Sequence, residues 1–378
     1  MAKGSESMKI GILTRHAVAN YGSLFQTYAT QLIFKKLGYD SEVINYTRKD
    51  EDGLNIAKTM LNSNESWNRN AIKKILYLLL QTPNYYFPYK RFIKFRKQLL
   101  KETSNKYSST DELKSVVDNY SILCSGSDQI WGKIGNDDYD DNYFLAFCND
   151  KRVKKISLAS SFGKNNIEKN LNLYTKLLND YDFVSIREKT ASDFINKSGI
   201  KTFNFLDPTL LIDKSIWYNM ANNSIKYKDY ILIYQLHENI LLEKYATDLS
   251  KITGKKIIRI SLSRYYSSKN GKLIYMPNPN EFLSYFKNAS IILSDSFHAT
   301  VFSIIFEKNF IDFLPGKTGV RIKDFLNLIG LSDRIVEEND FSILQKKIDY
   351  LKVNSNIDKI KKDNLEVLKT VLDGEYNG

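Results

Sequence analysis

The amino-acid sequence predicts an α/β fold of doubly wound, parallel-sheet domains, and three observations carry that prediction. Short apolar runs of strand length alternate with segments of helical period along the whole chain, as expected of parallel strands that need covering helices. The 378 residues, 43% of them hydrophobic, are enough to fill two cores of ordinary size. The alternation breaks at Leu206-Asp207-Pro208-Thr209, where a proline ends the pattern, and a fresh set of strands follows. Two domains are therefore expected, at residues 8–205 and 206–378, with a ligand cleft between their facing strand ends.

In the first domain, Lys9 to Thr14 reads as the opening buried strand, after a polar stretch, Met1 to Ser7, taken as an expression remnant or frayed end. Ser23 to Leu37 follows as a helix with Leu24, Tyr28, Leu32 and Leu37 on one stripe. Further strands are expected at Ser41 to Tyr46, Tyr120 to Ser125, Lys155 to Ser160, Phe183 to Ile186 and Thr202 to Phe205. Lys73 to Lys101 mixes basic residues with Leu, Tyr and Phe, and Pro83 and Pro88 should break it into a helical hairpin packed on its own domain. The alternative for residues 73–101 is a peripheral contact with an anionic membrane surface.

In the second domain, strands are expected at Tyr230 to Gln235, Lys256 to Ser261, Ser290 to Ser294 and Phe310 to Asp312. Helices are expected at Asn280 to Lys287, Thr300 to Phe306 and Val320 to Ile329, and the closing helix, Ser355 to Leu372, should pack back across the first domain.

The formal net charge of +12 points to an anionic partner: a phosphorylated substrate, nucleic acid or an acidic membrane. The lysines are scattered among Asn, Ile and Tyr rather than massed on one helix, which argues against nucleic acid. Cys124 and Cys148 make neither a disulfide framework nor a metal-ligand spacing with the three histidines, so no metal is expected and a reducing compartment is the simpler reading. No run approaches the ~20 apolar residues of a membrane span and no secretory leader opens the chain, so a cytoplasmic protein is expected. P-loop, paired CxxC, HExxH and GxSxG motifs are absent, and the first turn lacks GxGxxG; metal hydrolysis, serine hydrolysis and hydride transfer lose ground.

Chemistry is expected at the strand ends. After the first strand, Asn20 and Gly22 allow a tight turn, with Tyr21 between them, and Ser23 can cap the helix and leave backbone N–H groups for a ligand oxygen, although ordinary turn chemistry explains the segment almost as well. The strand ending at Ser125 runs into Gly126-Ser127-Asp128-Gln129, where Gly126 permits close backbone approach and Asp128 and Gln129 could hold sugar hydroxyls or accept a proton. Ser160 and Ser161 form a small polar wall. Arg187, at another strand end, can grip a carboxylate or phosphate through two parallel bonds, or can pair with Glu188 or a nearby Asp. Arg321, in the glycine-bearing loop Gly316 to Arg321, is a second candidate anion ligand.

The most informative segment is Ser294-Asp295-Ser296-Phe297-His298-Ala299-Thr300. It places His298 where an apolar strand ends and a helix begins, next to the positive end of the helix dipole. Such a position suits an anion and a group that moves a proton near neutral pH. A histidine that only satisfies its own hydrogen bonds is the usual reading of a lone residue, but in a chain with three histidines, at the end of a strand, the functional reading is favoured.

Taken in order, NYGSLFQTYA at Asn20 to Ala29, GSDQIW at Gly126 to Trp131, SIRE at Ser185 to Glu188, DPTLL at Asp207 to Leu211 and SDSFHATVFS at Ser294 to Ser303 resemble the polysaccharide pyruvyl transferase family. The resemblance runs over nearly the whole chain after Met8. It implies two Rossmann-like domains in a GT-B-like arrangement with an interdomain cleft, the acceptor on the N-terminal side and the donor on the C-terminal side. It also implies transfer of the pyruvyl group of phosphoenolpyruvate onto two sugar hydroxyls as a ketal, with no further cofactor. By this resemblance His298 matches the catalytic histidine and Arg187 the donor-binding arginine. Ser296, Phe297 and Arg321 join the donor pocket, Asp128 acts as base or orients the sugar, and Asn20, Tyr21, Gly22, Ser23, Gly126, Ser127, Gln129, Ser160 and Ser161 line the acceptor side. The family pattern often has Arg-Leu-His where this chain has Ser296-Phe297-His298, so Arg321, Arg15 or a lysine must supply the missing charge or the donor sits differently. The acceptor implied is a cell-surface polysaccharide or its lipid-linked precursor, met in the cytoplasm at the inner face of the membrane. Two alternatives stay open: a GT-B glycosyltransferase using a sugar nucleotide, and a non-catalytic carbohydrate- or anion-binding protein.

Overall fold

Lys9–Leu13 forms the first strand, β1, because its apolar residues are buried on both faces between two parallel neighbours. The structure is a computed structural model, and it describes residues 8–53, 55–62, 64–132, 139–163, 167–222, 224–316 and 319–375. The stretch Met1 to Ser7, and Lys317 and Thr318 of the loop before Arg321, lie outside the described residues. The chain divides into two units, Met1–Leu211 with Asn364–Gly378, and Ile212–Asp363.

In the first unit, β1 is followed by α1 (Tyr21–Lys36), β2 (Asp40–Val43), α2 (Asn55–Asn62), α3 (Ala71–Leu99) and α4 (Thr110–Lys114). Then come β3 (Ile122–Ser125), β4 (Lys154–Ser157), α5 (Leu171–Leu178), β5 (Val184–Ile186), α6 (Lys189–Asn196), β6 (Thr202–Asn204) and α7 (Pro208–Leu211). The sheet order is β2-β1-β3-β4, all parallel. The pair β5-β6 continues from its edge through single bridges, Ile156 to Phe183 and Ser160 to Ile186. Trp131 anchors the core, stacked 5.4 Å from Phe144 and tilted against Phe162. The end of α13 (Tyr350–Leu372) belongs to this unit: Asn364 Oδ1 accepts the Leu206 N–H at 2.9 Å, and Lys154 Nζ donates to the Val371 carbonyl at 2.8 Å.

The second unit runs α8 (Lys214–Met220), β7 (Ile231–Tyr234), α9 (Ile240–Thr253), β8 (Ile257–Ser261), β9 (Lys272–Tyr275), α10 (Pro279–Asn288), β10 (Ile291–Ser294), α11 (Phe297–Ile305), β11 (Asn309–Asp312), α12 (Val320–Ile329) and the start of α13. Its sheet order is β11-β10-β7-β8-β9, again all parallel. Trp217 meets Phe302 edge-on at 5.3 Å on one side of the sheet, and Tyr245 meets Phe313 at 5.3 Å on the other.

Several expectations need correction. Residues 73–101 do not form a broken hairpin: one helix, α3, runs through both Pro83 and Pro88. Each proline removes a backbone donor at a cost of about 3 kcal/mol, but buried Phe92 and Phe95 fix the C-terminal half against the unit, with Phe92 5.0 Å from Tyr21. Helix α1 begins at Tyr21 and is capped by Asn20, not by Ser23. Helix α11 begins at Phe297, three residues before the expected start at Thr300. Strand β9 and helix α9 had not been read from the sequence, and Ser41 to Tyr46 is strand only to Val43.

Candidate active site

Each sheet reverses its strand order once, and the loops at that reversal carry the candidate residues. In the first unit the chain moves from β1 outward to β2 and then returns to the other side of β1 with β3. The carboxyl ends of β1 and β3 therefore meet at the point where the strand order reverses, the place where open parallel sheets bind ligands. In the second unit the same reversal falls between β7 and β10.

At the first reversal the Thr14 hydroxyl donates to the Ser127 carbonyl at 2.5 Å, tying the ends of β1 and β3 together. Gly126 allows this approach, since a Cβ there would lie 2.9 Å from Thr14 Cβ. Asp128 follows with φ +93°, a left-handed conformation rare for a residue with a side chain. Its carboxylate accepts from the Ser23 hydroxyl and, at 2.7 Å, from the Gln129 N–H. Asn20 Oδ1 takes the N–H groups of Gly22 and Ser23 at 2.7 and 3.2 Å. Those two donors are thus already engaged, contrary to the expectation that Ser23 capping would leave them for a ligand. Tyr21 is a core residue with no exposed surface. Arg15 pairs with Glu51 beside Asp128 and Tyr143.

Ser160 and Ser161 are also fully buried. The Ser160 hydroxyl donates to the carbonyls of Ser125 and Gly126 at 3.1 and 2.9 Å, and the Ser161 hydroxyl donates to Glu188. Arg187 pairs not with Glu188 but with Asp207, at 2.6 Å. Asp207 also accepts from the Ser127 hydroxyl at 3.2 Å and from the Thr209 N–H and hydroxyl at 3.0 and 2.7 Å. The Asp-Pro-Thr segment, read from sequence as a break and as part of the family resemblance, is a buried polar hub.

At the second reversal Asp295 clamps the two loops together. Its carboxylate accepts the Leu236 N–H at 2.7 Å, the His237 N–H at 2.8 Å and His237 Nδ1 at 3.1 Å. His298, one helical residue past Phe297, is buried in the first turn of α11. Ser296 is the N-cap residue but makes no side-chain cap bond. One turn further on, the Thr300 hydroxyl lies 2.9 Å from both oxygens of Asp312. Burial, reinforced by the charge of Asp295, holds the Asp312 carboxyl well above the usual carboxylate range. Arg321 lies on α12 with its guanidinium 5.9 Å from the Phe297 ring centre, and the Phe297 ring is 5.3 Å from that of His298. Of the expected donor residues, His298, Ser296, Phe297 and Arg321 thus gather at one sheet reversal. Arg187 belongs to the other unit.

Sequence reading missed Asp295, His237, Asp207 and Asp312. An acidic residue at the end of a fully buried strand is the signal that could have found Asp295 and Asp312. Among the described residues no group of three or more His, Cys, Asp or Glu side chains could hold a metal ion, and no helix is long and apolar enough to cross a membrane.

The family profile described as polysaccharide pyruvyl transferase matches residues 20–314. The chain belongs to the polysaccharide pyruvyl transferase family. The match runs from the cap of α1 through the His298 segment, and Arg321 lies beyond it. No curated protein matches the chain. Among solved structures, a UDP-N-acetylglucosamine 2-epimerase aligns with TM-score 0.55 at 11% identity, over 98% of this chain and 97% of its own. The UDP-GlcNAc 2-epimerase of Methanocaldococcus jannaschii aligns at 0.52 and 12%, over 93% and 92%. The S. aureus MnaA–UDP co-structure aligns at 0.51 and 11%, over 95% and 91%. At such low identity these likenesses show a shared α/β fold of the GT-B type and carry nothing about the reaction of this family member.

Proposed function

We propose that the protein transfers the pyruvyl group of phosphoenolpyruvate to two hydroxyls of one sugar in a cell-surface polysaccharide or its lipid-linked precursor, forming a cyclic ketal and releasing phosphate. Family membership supports the reaction class. The observation that carries the donor assignment is the position of His298, buried in the first turn of α11 at the sheet reversal with Arg321 beside Phe297. Phosphoenolpyruvate brings a carboxylate and a phosphate, so its pocket needs fixed positive charge and oriented N–H groups. The start of α11 and Arg321 offer both.

In this reading His298 delivers a proton to the methylene carbon of the donor, leaving C2 electron-poor. One sugar hydroxyl attacks C2 and loses its proton, the bond from C2 to the phosphate oxygen breaks, and a second hydroxyl attacks C2 to close the ring. The balance is one hydroxyl proton ending on the new methyl group and the other leaving with phosphate. Asp128 is assigned to the sugar, as base or as the group that orients a hydroxyl. Arg187 as donor ligand rests on the resemblance alone, since its guanidinium pairs with Asp207.

The test is incubation with phosphoenolpyruvate and a panel of sugar acceptors in deuterated water. The expected result is phosphate release matched by an acceptor that has gained a pyruvate ketal with solvent deuterium in its methyl group. Release of a nucleoside diphosphate from sugar nucleotides, without use of phosphoenolpyruvate, would overturn the reading. Binding of the donor without turnover by any acceptor would favour a non-catalytic role. His298→Ala should cost about two to four powers of ten in turnover, and a variant with wild-type turnover removes His298 from the chemistry.

A further inference from the structure

Helix α3 carries apolar residues on two opposite faces. Tyr77, Pro88, Phe92 and Phe95 are buried against the first unit. Ile72, Ile75, Leu76, Leu79 and Leu80 recur at i, i+3, i+4, i+7 and i+8, which places them along one stripe turned away from that buried face. Their fractional exposures are 79, 61, 45, 69 and 55%, and Phe87 extends the stripe at 58%. Single exposed apolar side chains are ordinary, but a continuous exposed stripe marks an interaction surface.

Charge identifies the occupant. The same stripe continues toward the C-terminus as Lys90 and Lys94, both exposed, and the helix as a whole holds seven lysines and arginines with no Asp or Glu. A second copy packed stripe to stripe would cover the leucines but offer Lys90 and Lys94 no counter-charge, since the helix has no acidic residue. A nucleic acid would meet the lysines but not the leucines. An anionic bilayer surface accepts both, with the apolar stripe entering the acyl boundary and the lysines held at the headgroups. Tyr86 stands between the two halves of the stripe, with Lys90 over its ring, where an amphipathic ring favours the lipid–water boundary. No helix among the described residues is long and apolar enough to cross a membrane, so α3 would lie in the plane of the surface.

We propose that the outer face of α3 is a peripheral docking surface for an anionic lipid bilayer. The test is flotation of the full chain with phosphatidylcholine vesicles, with and without phosphatidylglycerol, across a salt series. It needs no enzyme activity, so it stands or falls apart from the pyruvyl transfer. The wild-type protein should float with the anionic vesicles and progressively less as salt rises. The double variant Lys90→Gln/Lys94→Gln should lose roughly fivefold in partitioning per lysine. Ile75→Ser/Leu79→Ser should lose about tenfold or more. These four positions are exposed, so far-UV circular dichroism should be unchanged. No flotation at low salt, equal flotation by all variants, or a wild-type dimer that the Ile75/Leu79 variant converts to monomer would each overturn the proposal.

Discussion

The guanidinium of Arg187 meets the carboxylate of Asp207 at 2.6 Å, with the two side chains only 3% and 0% exposed. Asp207 also gathers Ser127 and Thr209, so one carboxylate joins the end of β3, the end of β5 and the start of α7. Removing one partner of a buried ion pair strands the other charge out of water, which typically costs 3–5 kcal/mol. Asp207→Asn is therefore expected to lower unfolding free energy by about 3 kcal/mol, read from the shift of a urea midpoint at constant slope. An unchanged midpoint would show that Arg187 finds its counter-charge elsewhere.

Asp128 holds a backbone angle that a side chain disfavours, with φ +93°. Glycine adopts such angles freely, whereas for an L-residue they cost about 1–2 kcal/mol. Asp128→Gly and Asp128→Ala both remove the bonds from Ser23 and Gln129. The alanine variant should nevertheless be the less stable of the two by about 1–2 kcal/mol, measured by thermal denaturation, and both should lose turnover if Asp128 handles the sugar. Equal stability of the two would mean that the strain is absent.

His16 is fully buried, with Nδ1 3.0 Å from the Thr14 carbonyl. Burial first, and then the positive charge of Arg96, lower its pKa from 6.5 to about 3. Its 3.8 Å approach to Glu102 is accordingly no ion pair over most of the acid range; Glu102 faces Arg96 at 3.2 Å instead. The unfolded chain takes up a proton near 6.5 that the folded chain refuses until about 3. The contribution of His16 to stability is therefore present above the upper value and lost as pH falls between the two, at up to about 1.4 kcal/mol per pH unit. His16→Gln should show an acid-side slope shallower by about one proton, measured by urea denaturation across that window. Parallel slopes for the two proteins would show that His16 is already protonated in the fold.

What could be read from the chain came from local pattern. Residues 291–293 are apolar and flanked by Ser290 and Ser294, so β10 was legible, and the polar Asp-Ser after it made the position of His298 legible too. The five segments NYGSLFQTYA, GSDQIW, SIRE, DPTLL and SDSFHATVFS placed the chain in its family before any geometry was known, and the family match agrees. Strand β9, partly buried at a sheet edge, gave no strong alternation and was missed.

The sequence by itself determined the class of fold, the breaks between elements and the neighbours of His298 along the chain, because strand and helix periods are properties of adjacent residues. Only the tertiary structure decided which distant groups meet: Asp295 with the loop after β7, Asp207 with Arg187, and Ser23 with Asp128. It also decided that α3 runs unbroken through two prolines, since the packing of Phe92 and Phe95 outweighs the lost backbone bonds. Hydrogen bonds and ion pairs between residues far apart in the chain depend on strand order, and strand order is set by which buried faces pack best together rather than by any local stretch of residues.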